Sequence, residues 1–196
     1  MERIRSVERD EATPEQRRVG DLIFGSRDED YGGPSAILLH LPELTQRFEH
    51  LRNYLVREQK LPQPMLHLAA LITARFWSAQ YAWWKRVDLC LKAGIPAEVV
   101  DAVRERRRPA FDDLDLEAVY DYVSELLETR RVSDTTHERL KAIVGDECLI
   151  ELVMIVGFYS MLGLVCDAFE PAFPPGVAEP LDDEARIGNQ EGEPTT

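Results

Sequence analysis

The sequence lacks an excess of positive charge. It contains 23 lysine and arginine residues against 36 aspartate and glutamate residues, which gives a formal net charge of −13 at pH 7. Nucleic acids and anionic membrane surfaces are bound through positive patches. The composition therefore argues against both classes of partner, and we expect neither nucleic acid nor membrane binding. A small acid could still be held by a single arginine.

Cysteine is also scarce. Cys90, Cys148 and Cys166 are the three cysteines among 196 residues, and none belongs to a CxxC or CxxH pair. Disulfide frameworks and structural zinc sites need paired, closely spaced ligands. We therefore expect reduced, mostly buried thiols and no metal site. Nothing in the sequence implies an organic cofactor either.

No secretory signal is recognisable near the start of the sequence. The segment MERIRSVERDEATPEQRR mixes both charge signs and contains no uninterrupted apolar run. We therefore predict a cytoplasmic protein. At the other end, residues 176–196 are acidic and poor in large apolar side chains. This composition predicts a flexible tail, because burial cannot offset the entropy lost on ordering.

Long hydrophobic runs are absent apart from one. CLIELVMIVGFYSMLGLVC, residues 148–166, has about the length of a transmembrane helix. However, Glu151, Gly157 and Gly163 interrupt it, and acidic residues lie at both ends, where a membrane span would show a positive-inside asymmetry. We therefore favour a core or subunit-interface helix over residues 147–169.

Convincing strand patterns are also lacking, whereas helical signals recur. Thr13 followed by Pro14 indicates a helix start, and Gly94 and Gly145 stand where helices are expected to end. Between these points, apolar residues repeat with helical spacing. The pattern predicts an all-α bundle of about seven or eight helices. We divide the chain into an N-terminal helix and loop (1–34), a helical domain (35–175) and the tail (176–196).

One predicted helix combines aromatic and basic residues. In SAQYAWWKRV, residues 78–87, the side chains of Gln80, Trp83 and Trp84 share one face, and Arg86 lies on the neighbouring face above two alanines. Aromatic stripes with this spacing usually pack in a core. The plain interpretation is therefore packing tryptophans beside a solvated or ion-paired arginine. A functional interpretation needs further support.

That support comes from several segments of the chain. LLHLPEL (38–44), QYxW (80–83), KAGI (92–95), RRPAFDD (107–113) and ELVMIVGFYSMLGLVCDAFE (151–170) follow one another here. In type and order they resemble the carboxymuconolactone decarboxylase and AhpD-like family. The resemblance implies an AhpD-like helical bundle, usually assembled as an oligomer whose apolar last helix packs between subunits. We therefore expect a homo-oligomer, either a dimer, a trimer or a hexamer, formed through helix 147–169.

The family uses the helix around residue 80 in two ways. Its peroxidase branch carries a CxxC motif and then a histidine, at positions that correspond to Ala79, Ala82 and Arg86 here. Because a thiolate is the nucleophile in that chemistry, thiol peroxidase activity is predicted absent. The branch without cysteines has a pattern close to (E/Q)YEWxxH. This chain keeps its Gln-Tyr and Trp positions, but Ala82 and Arg86 replace the proton-exchanging Glu and His.

The resemblance implies an enzyme that acts on a small apolar or aromatic carboxylic acid or lactone. The chemistry would be of the decarboxylase, lyase or isomerase type, without redox cysteines. Arg86 would anchor a carboxylate or an oxyanion, and His40 would donate a proton, although His40 could equally be a helix cap or a buried hydrogen-bonder. The expected substrate-binding residues are Gln80, Tyr81, Trp83, Trp84 and Tyr159.

An alternative follows from the loss of both proton-exchanging groups. The chain could be a catalytically altered family member that binds a small ligand or serves in assembly. We expect an enzyme first, with the binding or assembly role as the alternative. Three other expectations concern polar and charged positions. Glu151 should be paired or protonated, with Arg75 or Arg86 as the candidate partner, and His67 should be half-buried packing. The arginines 106–108 should form a solvated loop that pairs with Asp112, Asp113 or Asp115.

Overall fold

The helical prediction is confirmed in a computed structural model, which describes residues 2–25 and 31–181. These ranges contain helices and connections but no strand. The helices are α1 (Pro14–Phe24), α2 (Gly33–Leu38), α3 (Pro42–Asn53), α4 (Gln63–Phe76), α5 (Gln80–Lys92), α6 (Ala97–Arg104), α7 (Leu114–Thr129) and α8 (Asp134–Phe169). A five-residue π-helix, Tyr54–Glu58, continues α3.

The helix boundaries follow local chemistry. Thr13 and Gln16 form a reciprocal capping box at the start of α1, and Ser133 accepts a hydrogen bond from a backbone N–H at the start of α8. Gly145 interrupts α8 with φ 75° and ψ 171°. A glycine is favoured there because this backbone conformation lies in the left-handed half of φ space. The 36-residue α8 therefore consists of two helices, as the position of Gly145 predicts.

Helix α4 forms the centre of the core. Ten consecutive residues, Met65 to Ala74, are buried, and the helix contacts α5, α7 and α8. Its alanines and leucines allow these neighbours to approach from several sides. A helix that is buried all round has no solvated face to receive a polar side chain. Any polar side chain within residues 65–74 must therefore find its partner inside the protein.

Helix α8 has one buried face and one exposed face. Leu152, Ile155 and Tyr159 are buried, with exposures of 1% or less. Exposed apolar side chains form a stripe at residues 150, 154, 161 and 164, with the exposed Gly157 between them. Within the described ranges α8 is the one helix long and apolar enough to cross a membrane. Core helices of soluble proteins meet the same description, so length and composition do not decide its environment.

The partner predicted for Glu151 is wrong. Its Oε2 accepts hydrogen bonds from the backbone N–H groups of Lys60 and Leu61, each at 2.9 Å, and its Oε1 accepts one from the Tyr54 hydroxyl at 3.3 Å. The turn between the π-helix and α4 lies against α8 and presents two backbone N–H groups that need an acceptor. Glu151 thus accepts hydrogen bonds from the backbone of this turn and does not pair with an arginine.

The arginine connector is also held differently from the prediction. Arg108 pairs with Glu117 and Asp121, one turn apart on α7, and Arg139 of α8 pairs with the same two carboxylates. The predicted partners were the aspartates around the start of α7. Asp113 instead caps α7 by accepting from two backbone N–H groups, so its carboxylate is engaged with the helix end.

Candidate functional site around Arg86

Helix α5 buries the face that carries Ala82 and Arg86, two of the positions at which the sequence departs from the family that it resembles. Gln80, Ala82, Trp83, Arg86 and Cys90 are all buried. Trp83 has no exposed surface, as packing predicts. The arginine, however, is only 8% exposed, so the plain interpretation of a solvated Arg86 is wrong. A guanidinium group removed from water needs compensation inside the protein.

The partner of Arg86 is a histidine on the central helix. Its Nη1 lies 3.2 Å from Nδ1 of His67, and both side chains are buried. A guanidinium group can only donate, so Nδ1 of His67 is the acceptor and the ring proton lies on Nε2. Burial, and then the positive charge of Arg86, lower the pKa of His67 to about 4. His67 is therefore a neutral ring at pH 7.

Arg86 also lies over the ring of a buried tyrosine. Its Cζ is 4.6 Å from the ring centroid of Tyr159, a cation–π geometry. Tyr159 is 1% exposed, and its hydroxyl has no hydrogen-bond partner in the described part of the chain. Burial raises the pKa of Tyr159, so this hydroxyl stays protonated. No carboxylate of residues 2–25 or 31–181 forms an ion pair with Arg86.

The nearby thiols are not activated. Cys90 Sγ donates to the His67 carbonyl oxygen at 3.4 Å, and burial raises the pKa of Cys90 to about 12. Burial likewise raises the pKa of Cys166 to about 12. The thiolate form is therefore negligible at neutral pH. Ala79 and Ala82, which the sequence resemblance matches to the two redox cysteines of the peroxidase branch, are both buried.

His40 does not meet Arg86. It is exposed at the end of α2, and its Nε2 lies 2.9 Å from the backbone carbonyl oxygen of Arg5. This placement fits the alternative role of His40 as a hydrogen-bonding residue at a helix end. The imidazole ring that contacts Arg86 belongs to His67. The one signal for His67 in the sequence is its isolation within the apolar run MLHLAALI, which lies in the buried middle of α4.

Three of the expected substrate-binding residues are covered by the C-terminal end of the described chain. The Gln80 side-chain amide exchanges two hydrogen bonds with the backbone of Leu181, Nε2 to O at 2.7 Å and N to Oε1 at 2.9 Å. The ring of Phe173 lies 5.6 Å from Tyr81 and 5.7 Å from Trp84, centroid to centroid. Of the predicted tail, 182–196 lie outside the described residues.

The first part of the predicted tail therefore differs from the prediction. Leu181 is only 4% exposed and joins the main core. The composition of the segment, which is acidic and rich in proline, gave no sign of this contact. One apolar side chain is enough to anchor a short segment, and a single leucine hardly changes the composition. The structure thus brings Arg86, His67 and Tyr159 together in one buried cluster, and places Gln80, Tyr81 and Trp84 beneath the C-terminal residues.

Comparison with known proteins places this arrangement in a known fold. No family model matches the sequence, and no curated protein matches it. A solved structure of an uncharacterized peroxidase-related protein from Silicibacter sp. superposes with a TM-score of 0.67 at 14% identity, over 82% of this chain and 88% of that chain. The chain has the AhpD-like fold. A protein of unknown function from Agrobacterium tumefaciens, described as a candidate AhpD antioxidant defence protein, agrees with a TM-score of 0.62 at 17% identity, over 70% and 94%.

These identities establish the AhpD-like fold alone and transfer no activity. They confirm the all-α fold that the sequence resemblance implied. The described residues contain no group of three or more His, Cys, Asp or Glu side chains placed to hold a metal ion. What this member of the fold offers around Arg86 is therefore a buried cation, a neutral imidazole and a protonated phenol.

The lowered pKa of His67 predicts a specific loss of stability in acid. The unfolded chain binds a proton at this residue near pH 6.5, whereas the folded chain binds it only near pH 4. Stability from His67 is therefore complete above pH 6.5 and is lost as the pH falls towards 4, by about 3 kcal/mol in total. Urea unfolding at pH 7 and pH 4.5 should show a smaller difference for His67→Gln than for wild type. An NMR titration of His67 near pH 6.5 would contradict this.

Proposed function

We propose that this chain is a carboxymuconolactone decarboxylase-like enzyme for a small apolar or aromatic carboxylic acid or lactone. It would use decarboxylase, lyase or isomerase chemistry without redox cysteines or an organic cofactor. The observation that supports this most directly is the buried Arg86, which has spare N–H donors and no carboxylate partner in the described chain. A substrate carboxylate or a developing enolate would satisfy these donors.

The surrounding groups suit the stabilisation of negative charge better than proton abstraction. Nδ1 of His67 is occupied by Arg86 and its Nε2 carries the proton, so the ring can donate a hydrogen bond but has no free site to accept a proton. In a decarboxylation the C–C bond breaks, its electron pair moves onto the adjacent carbonyl oxygen, and CO2 leaves. Arg86 would hold the resulting enolate. The Tyr159 hydroxyl would donate a proton to carbon, and a proton taken up from solvent would then restore the phenol, because decarboxylation of a carboxylate consumes one proton overall.

The alternative function is a small-ligand-binding or assembly protein that has lost catalysis. It is favoured by the covering of Gln80, Tyr81 and Trp84 by the chain's own C-terminal residues. The two functions differ in what happens after binding. An enzyme converts its ligand into a product. A binding protein leaves the ligand unchanged, and only its own fluorescence changes on binding.

Both functions can be tested on the full chain. Benzoate and a panel of small 3-oxo acids would be titrated against tryptophan fluorescence, since Trp83 and Trp84 lie on the helix that carries Arg86. Release of CO2 would be measured in parallel. Binding with CO2 release supports the enzyme, and binding without conversion of any acid or lactone supports the alternative. Failure to bind any carboxylate would overturn the proposed enzyme.

We further propose that the chain works as a cytoplasmic homo-oligomer joined through α8. The exposed apolar stripe supports this, because residues 150, 154, 157, 161 and 164 are spaced by four, three, four and three positions. This is the spacing of a helix seam that packs on another helix. Met154→Asp is expected to lower the mass measured by sedimentation to that of a monomer. Leu22→Asp, at an apolar residue of α1 that is 69% exposed, is the matched control and should leave the assembly unchanged.

A further inference from the structure

Residues 171–181, here named the strap, occupy the face of α5 on which a ligand would lie. We propose that Gln80 and the buried position of Leu181 form a subsite for an apolar molecule that carries a secondary amide. In this structure the strap fills that subsite with its own residue. The inference rests on the proposed ligand-binding role of this face and names the class of ligand. Because the strap already occupies the subsite, a ligand must displace the strap to bind.

The recognition geometry supports an amide rather than an acid. The Gln80 side chain donates to the Leu181 carbonyl oxygen and accepts from the Leu181 N–H. A secondary amide or a short peptide offers both groups next to an apolar side chain. A carboxylate offers two acceptors and no donor, so it would leave Gln80 Oε1 buried without a partner. Such an unmatched polar atom costs free energy, and this cost discriminates against the acid.

The strap is held at its start by the buried Pro171 and by a hydrogen bond from the Ala172 N–H to Glu2 Oε1 at 3.0 Å, but it has few attachments beyond Phe173. Phe173 is half-buried against Tyr81 and Trp84, and Leu181 is buried. Between these two anchors most residues are exposed, and the segment forms neither helix nor strand. Four prolines and Gly176 (φ 84°) fall within residues 171–181. A segment with few buried contacts can separate from the core without unfolding the helices beneath it.

Displacement of the strap has a measurable consequence. Because the strap and the ligand exclude each other, the apparent dissociation constant of the ligand equals the intrinsic one divided by the fraction of chains whose subsite is open. A tethered occupant has a high effective concentration, of the order of millimolar for short connections. Loosening the strap should therefore tighten ligand binding without any new contact.

The test uses N-acetyl-L-leucinamide, which reproduces the N–H, the carbonyl and the side chain of Leu181. Calorimetry would compare its affinity for wild type and for the full-length Leu181→Asp chain, in which a carboxylate cannot remain in the core. We expect binding to Leu181→Asp to be tighter by at least about tenfold. We also expect Gln80→Leu in the Leu181→Asp background to abolish this binding. The control probe 4-methylpentanoate, which lacks the N–H, should bind more weakly than the amide.

A second measurement needs no variant. Elastase cleavage after Val177 in the wild-type strap should accelerate as N-acetyl-L-leucinamide is added, because the strap is released. The proposal would be overturned if wild type and Leu181→Asp bound N-acetyl-L-leucinamide equally well. It would also be overturned if a helical Leu181→Asp chain did not bind the amide and the cleavage rate of wild type stayed unchanged. In either case Leu181 would be a packing residue only. If no carboxylate binds to any chain while the amide does, the proposed carboxylate chemistry is wrong and the amide subsite stands.

Discussion

Arg86→Gln is expected to lower the affinity for small carboxylates by about 10- to 100-fold. Hydrogen bonds to a charged group contribute about 1.5–3 kcal/mol, and the buried guanidinium has no protein carboxylate within the described residues to compete for it. Glutamine keeps a donor but loses the charge and the bidentate geometry. Fluorescence titration of wild type and variant with benzoate measures the change. If conversion is also observed, its rate should fall by at least the same factor.

The matched control is Arg104→Gln. Arg104 is exposed, and it pairs with Asp101 on its own helix, so its replacement should change the benzoate affinity by less than about twofold. Loss of Arg86 should also remove a positive charge from His67 and therefore raise the pKa of that ring. An unchanged benzoate affinity in Arg86→Gln, with the helical spectrum preserved, would assign the arginine a structural role only.

Glu151→Ala is expected to destabilise the fold by about 3 kcal/mol. The substitution leaves the backbone N–H groups of Lys60 and Leu61 without their acceptor, and the carboxylate is only 7% exposed. It also removes the partner of the Tyr54 hydroxyl. The turn before α4 would lose its attachment to α8. Urea unfolding at pH 7 measures the change, and a decrease of roughly 6–12 °C in Tm should accompany it.

Glu147 provides the control for this prediction, one helical turn earlier on α8. It pairs with the side chain of Lys60 at the surface, where 74% of the Glu147 side chain is exposed. Glu147→Ala should therefore change the free energy of unfolding by less than about 1 kcal/mol. Equal effects at the two positions would show that burial and the backbone hydrogen bonds of Glu151 contribute little.

Much of the fold could be predicted from local signals. The cap at Thr13, the helix-ending glycines and the helical spacing of apolar residues predicted the helices, and the order of the segments that resemble the family predicted the AhpD-like fold that the structure confirms. The sequence also excluded a thiol pair from α5, because residue types at Ala79 and Ala82 are sufficient for that conclusion. The predicted partners of Glu151 and of the arginine connector were wrong, since partners are set by packing.

The sequence by itself determined that alanines stand at residues 79 and 82 and an arginine at residue 86, where the family that it resembles carries its thiols, or a glutamate and a histidine. Only the tertiary structure decided what surrounds them. His67 meets Arg86 across two helices, and Leu181 meets Gln80 across 101 residues of chain. The physical reason is that helical periodicity identifies the buried face of each helix, whereas the side chain opposite that face depends on how separate helices and the C-terminal segment pack together.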